Sequence, residues 1–153
     1  MCEAWMLEKT GLTIEDHQRL TIERYDALRH MITRPYVLPV LQGYSLESYL
    51  DHIDQYGKRL APGQYVGLGS VCKRNGDVRQ IEAIVCAIKN KRPDLRLHGF
   101  GLKTTALTST TVRHALYSAD SMAWSYAARR QGGDANSWLE ALRFVERIEA
   151  LNG

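Results

Sequence analysis

Tyr65-Val-Gly-Leu-Gly-Ser-Val71, then Asn75-Gly-Asp77, then Val78, Ile81, Ile84, Val85 and Ile88: within this stretch the apolar pattern changes from a short β-branched run to helical spacing. The first part reads as a buried strand, the Asn-Gly-Asp as a helix start, and the spaced aliphatics as the buried face of that helix. The same alternation extends in both directions. Upstream, Tyr36-Val-Leu-Pro-Val-Leu41 reads as a strand closed by Gln42-Gly43, and Ser45 caps a helix carrying Leu46, Tyr49, Leu50, Ile53 and Tyr56. Downstream, Pro93-Asp94 stops the helix and Leu95-Arg-Leu-His-Gly-Phe100 reads as a third strand. A shorter helix follows through Val112 and Leu116, and Ser121-Met-Ala-Trp124 is read as a fourth strand.

The ends of the chain frame these units. Met1–Gly11 fits neither period and is expected to be an irregular lead-in. Thr13 and Asp16 make a capping box for a first helix whose stripe is Ile14, Leu20, Tyr25, Leu28 and Ile32, ending before Pro35. Beyond Gly132-Gly133, residues 134–136 cap a last helix with Trp138, Leu142, Val145, Ile148 and Leu151 on one face. Strands alternating with helices imply a parallel α/β sheet, because parallel neighbours need crossover connections. A doubly wound sheet and part of a β/α barrel both satisfy the pattern. A whole barrel needs about 250 residues, so four strands in 153 residues make half of one. In either case the whole of 1–153 forms one domain.

Composition narrows the function classes. The 17.4 kDa chain is 44% hydrophobic and 24% charged with a mean hydropathy of -0.33, as expected of a globular chain. It has no apolar run of membrane-spanning length and no secretory signal at its acidic start, so a cytoplasmic location without membrane contact is expected. Cys2, Cys72 and Cys86 are too scattered for a disulfide framework or a zinc site, and no metal is expected. Twenty basic against seventeen acidic residues give a net charge of +3, which permits an anionic partner without demanding one. No phosphate-binding loop or dinucleotide fingerprint occurs, so no nucleotide cofactor is expected.

Chemistry in parallel sheets collects at the carboxyl ends of the strands. Those ends hold Gln42 and Gly43, then Gly67, Leu68, Gly69 and Ser70, then His98 and Gly99. Glycine there lets a backbone approach a ligand, although it also serves ordinary turns. Gln42, Ser70 and His98 add groups able to read a planar heterocycle at its edge. Lys73 and Arg74 follow the second strand, and Arg129 and Arg130 follow the fourth; the placement suits phosphates, with solvated surface charge as the plain alternative. Asp120 is the carboxylate of this cluster, a catalytic candidate or a turn former. His17, His30, His52 and His114 lack partner spacing and are assigned structural or exposed roles.

Read in order, Pro39-Val-Leu-Gln-Gly-Tyr44, Tyr65–Arg74, Leu97-His-Gly-Phe-Gly-Leu102 and Ala119-Asp-Ser-Met-Ala-Trp-Ser-Tyr-Ala-Ala-Arg-Arg130 resemble the tRNA-guanine transglycosylase superfamily. The resemblance is closest to its DNA-modifying branch, the deazapurine-in-DNA modification protein A family. It implies a TIM (β/α)8 barrel enzyme, a pentosyltransferase that exchanges guanine for a 7-deazaguanine, with no cofactor. It implies Asp120 as the nucleophile on the sugar C1′, and Gln42, Gly43, Gly67, Leu68, Gly69, Ser70, His98 and Gly99 around the base. It places only the C-terminal half of such a barrel in this chain, so an N-terminal half-barrel partner or a homo-oligomer is expected, and a non-catalytic fragment or subunit is the alternative. The tRNA enzymes carry a Cys/His zinc subdomain after the barrel. No Cys or His follows Trp124, which favours DNA over tRNA as the partner.

Overall fold

The computed structural model describes residues 4–74 and 76–151, with the side chains of all of these except Lys73 and Ala127. Asn75 of the expected helix start lies outside the described residues, as do Cys2 and the Lys73 side chain.

The lead-in is a helix, α1 (Ala4–Thr10), rather than irregular. It buries no residue, so it leaves no amphipathic stripe to read. It is stopped by Gly11, at a positive φ of 66°, whose N–H closes on the Leu7 carbonyl. Helix α2 (Ile14–Met31) begins at the expected capping box: the Thr13 side chain accepts from the Asp16 N–H, and Asp16 accepts from the Thr13 N–H. Its buried residues are Gln18, Ile22 and Tyr25, so of the predicted stripe only Tyr25 is buried. Gln18 hides the true phase. An amide occupies a core position there because its Nε2 donates to the carbonyls of Gln42 and Ser48, each at 2.7 Å.

Strand β1 is only Val40–Leu41. Proline has no N–H to give a ladder, and Pro39 enters the sheet through its carbonyl alone, which accepts from Gly67 N–H at 2.8 Å. Helix α3 (Leu46–Tyr56) carries a second capping box, Ser45 with Ser48, and buries Tyr49, His52, Ile53 and Tyr56. Strand β2 (Tyr65–Leu68) leads through a short 3-10 turn into α4 (Val78–Lys91). There Asp77 caps the helix, and Ile81, Ile84, Val85 and Ile88 are buried, as spacing predicts, while Val78 of the same predicted face is only half-buried. Strand β3 is Arg96–Gly99, followed by two short helices, α5 (Thr104–Leu107) and α6 (Thr110–Ala115), where one was expected.

The fourth strand is the largest correction. Strand β4 is Leu116–Ala119; the segment 121–124 predicted as strand lies after it, and Ala123–Arg130 is helix α7. Leu116 was read as the tail of the preceding helix. Strand pairing overrides that local pattern, because Leu116, Ser118 and Ala119 stand opposite Leu97, His98 and Gly99. The last helix, α8 (Trp138–Glu149), packs mainly on α7 and buries none of its residues.

The sheet is all parallel, in the order β1-β2-β3-β4, and does not close into a barrel. Leu41, Val66, Leu68 and Leu97 join side chains of α2, α3, α4 and α6 in one core. The alternation of strand side chains sends Tyr65, His98 and the Gly67 position to the other face.

Candidate active site

One irregularity in the sheet builds the site. The β3–β4 register runs Leu97 opposite Leu116 and then His98 opposite Ser118, so Tyr117 is an extra residue on β4. Such a bulge changes which face the following residue serves. Leu116 packs against the core, whereas Ser118 turns to the opposite face beside His98. There its Oγ lies 2.8 Å from His98 Nδ1 and 2.6 Å from the Tyr65 hydroxyl, which is itself 3.0 Å from the same Nδ1.

Asp120 follows directly, at the carboxyl end of β4. Its backbone is pinned by two ladder-like bonds, Asp120 N–H to the Gly99 carbonyl (3.2 Å) and Leu102 N–H to the Asp120 carbonyl (3.0 Å). Its Oδ1 accepts from the Gly101 N–H at 2.8 Å and faces His98 Nε2 at 3.4 Å. Gly101 has a positive φ of 63°, the left-handed conformation that aims its N–H at the carboxylate at little steric cost. The carboxylate is 55% exposed while the His98 ring is 15% exposed, so the aspartate is reachable and its neighbour is sheltered. The His98 ring is also packed edge-on against Phe100, with centroids 4.7 Å apart.

These observations gain meaning beside known proteins. A family model described as DpdA, DeoxyPurine in DNA protein A, matches residues 1–148. The chain belongs to the DpdA family. This is the DNA-modifying branch of the transglycosylase superfamily that the strand-end motifs resemble. No curated protein and no solved structure matches the chain.

In this DpdA chain the residues predicted around the base are largely engaged in holding the sheet. Gln42 donates its N–H to His52 Nδ1 at 2.9 Å. Gly43 sits against Ser48 and the Tyr49 ring, with no room for a Cβ. Above Gly67 a Cβ would run into the Phe100 ring. The Leu68 side chain is in the core. Gly69 gives its N–H to the Leu41 carbonyl at 2.9 Å and accepts the Tyr49 hydroxyl at 2.7 Å. Ser70 is buried in the left-handed region, at a φ of 64°, and its carbonyl accepts from Arg74 at 2.7 Å. Gly99 is buried against Leu102 and Leu116.

Arg74 also donates to the Tyr44 carbonyl at 2.6 Å, which straps the β2 loop to the loop after β1. Arg129 and Arg130 lie in the last turn of α7 rather than after a strand, and both are exposed. A groove of about 430 Å³ runs beside Asp120 along the free edge of β4, walled by Tyr117, Ser118, Ser121, Phe144 and Ile148. None of the predicted base-binding residues lines it. Gln42 opens instead on a separate cleft of about 240 Å³ with Thr21, Arg24 and Val40.

The structure thus brings together Asp120, His98 and the Gly99–Gly101 backbone, all predicted or adjacent to predicted positions. Tyr65 and Ser118 were missed. The signal available for them was strand alternation, since Tyr65 shares a face with Gly67, but Ser118 needed β4 and its bulge to be placed first. Among the described residues no group of three or more His, Cys, Asp or Glu could hold a metal ion, and no helix is long and apolar enough to cross a membrane.

Proposed function

We propose that the chain takes part in exchanging guanine in DNA for a 7-deazaguanine, with Asp120 as the nucleophile. The single observation that carries this reading is the exposed Asp120 carboxylate at the end of β4, held through Oδ1 by the Gly101 N–H and facing His98. In the first half-reaction a carboxylate oxygen bonds to C1′ as the bond from C1′ to N9 breaks, and guanine leaves with the electron pair and takes a proton from water. In the second, N9 of the deazaguanine attacks C1′, the carboxylate departs, and the N9 proton passes to solvent. A guanine in duplex DNA must first be flipped out of the stack. Asp120→Asn is expected to abolish a denaturation-resistant protein–DNA adduct. Persistence of the adduct at wild-type level, read on a denaturing gel, would overturn the assignment.

A second reading has its own observation. The sheet has free edges at β1 and β4, and Trp138, Leu142 and Val145 of α8, with Met122 and Tyr126, are exposed. Surfaces of this kind serve to meet another chain. In this reading the chain is one subunit, inactive until a separately encoded N-terminal half completes the barrel. Base exchange by the purified chain alone would exclude it.

A further inference from the structure

Two hydroxyls converge on one imidazole nitrogen. His98 Nδ1 has a single lone pair or a single hydrogen, yet both the Ser118 and Tyr65 hydroxyls reach it, at 2.8 and 3.0 Å, and the two oxygens are 2.6 Å apart. The opposite nitrogen, Nε2, faces Asp120 Oδ1 at 3.4 Å. In one assignment of hydrogens Tyr65 O–H donates to Ser118 Oγ, Ser118 O–H donates to Nδ1, and the Nε2–H faces the carboxylate, with the Tyr65 oxygen left in contact with Nδ1 but not bonded to it. The other neutral tautomer would set the Nε2 lone pair against a carboxylate oxygen.

We propose that Tyr65 and Ser118 are positioning residues that lock His98 in the Nε2–H tautomer, so that Oδ1 of Asp120 is held by the Gly101 N–H and faced by the His98 N–H, and Oδ2 is left as the reacting oxygen. The geometry supports the division of labour, since among the described residues nothing hydrogen-bonds Oδ2. As Oδ2 bonds to C1′, Oδ1 becomes the ester carbonyl and keeps the Gly101 N–H as its hydrogen-bond donor, with His98 Nε2 3.4 Å away. His98 transfers no proton in this step, and the charge it faces falls and returns with each half-reaction. Such preorganised donors stabilise a carboxylate as it leaves as well as before it attacks. The role of Oδ2 rests on the aspartyl-glycosyl reading above, whereas the tautomer lock does not.

The test is the long-range 1H–15N spectrum of the histidine rings in the full chain, which reads tautomers directly. Wild type is expected to show His98 wholly as Nε2–H. Ser118→Ala is expected to give a mixture and Ser118→Thr, which keeps the hydroxyl, to restore the single form. Tyr65→Phe retains the ring that packs on His98 and Tyr117, and so removes the hydroxyl without the packing should Ser118→Ala unfold. Both hydroxyl deletions are expected to slow adduct formation by about tenfold or more with DNA affinity unchanged. An Nδ1–H tautomer in wild type, or a spectrum unmoved by either deletion, would overturn the lock. A locked tautomer in a wild-type chain that forms no adduct would instead overturn the reaction reading, leaving the lock in place.

Discussion

His52 is fully buried, with Nδ1 accepting from the Gln42 N–H at 2.9 Å and Nε2 3.3 Å from the Gln18 carbonyl. That arrangement fits a neutral ring, and burial pulls its pKa down from 6.5 to about 4. In the unfolded chain the ring charges near 6.5, so the unfolded state binds the extra proton first as pH falls. The stability His52 contributes is whole above pH 6.5 and drains between 6.5 and 4, by roughly 3 kcal/mol at most. Urea midpoints measured across that interval should fall in wild type and fall less in His52→Gln. Equal slopes would show that the ring titrates alike in both states. At the same scale, His98 and Asp120 were nameable in advance as chemistry-bearing types, although Asp120, expected just ahead of the fourth strand, follows β4 instead. Tyr65 and Ser118 were not, because tyrosine and serine in a strand carry no functional signature until a partner is placed beside them.

Elements behaved according to how local their determinants are. The starts of α2, α3 and α4 are written in Thr13, Ser45 and Asp77, whose side chains bond N–H groups three residues on. Thr13→Ala removes one half of the α2 box and should lower stability by about 1 kcal/mol, checked by a shift in thermal midpoint. No shift would mean that packing of Ile22 and Tyr25 alone holds the helix end. The face of α4 was equally legible, being four aliphatic residues at helical spacing. By contrast α2 was read in the wrong phase because Gln18 lies in its buried stripe, and β4 was misplaced by about five residues. Four residues, Leu116–Ala119, are too few for alternation to declare a strand, the more so when a bulge at Tyr117 breaks the alternation within it.

Across the whole molecule, helices and sheet share one core while the opposite sheet face carries Tyr65, His98 and Ser118 rather than a second apolar layer. Parallel sheets are normally covered on both faces. With that face covered only in part, by Phe100 and Leu38 over Gly67 and His98, both edges free and α8 unburied, the chain is expected to associate. Light scattering should give a mass above 17.4 kDa for the purified chain, or a stoichiometric complex after co-expression with an adjacently encoded N-terminal half. A monodisperse monomer in both preparations would remove the subunit reading.

The sequence by itself determined the strand–helix alternation, hence the parallel sheet, together with the caps of α2, α3 and α4 and the strand-end motifs that resemble the family. These depend on contacts within a few residues, which composition and spacing record. Only the tertiary structure decided which four residues form β4, where its bulge falls, and that Tyr65 and Ser118 meet at His98 beside Asp120. Those outcomes turn on pairing between segments about 20 to 50 residues apart, where hydrogen-bond partners across the sheet outweigh the local preference of either segment.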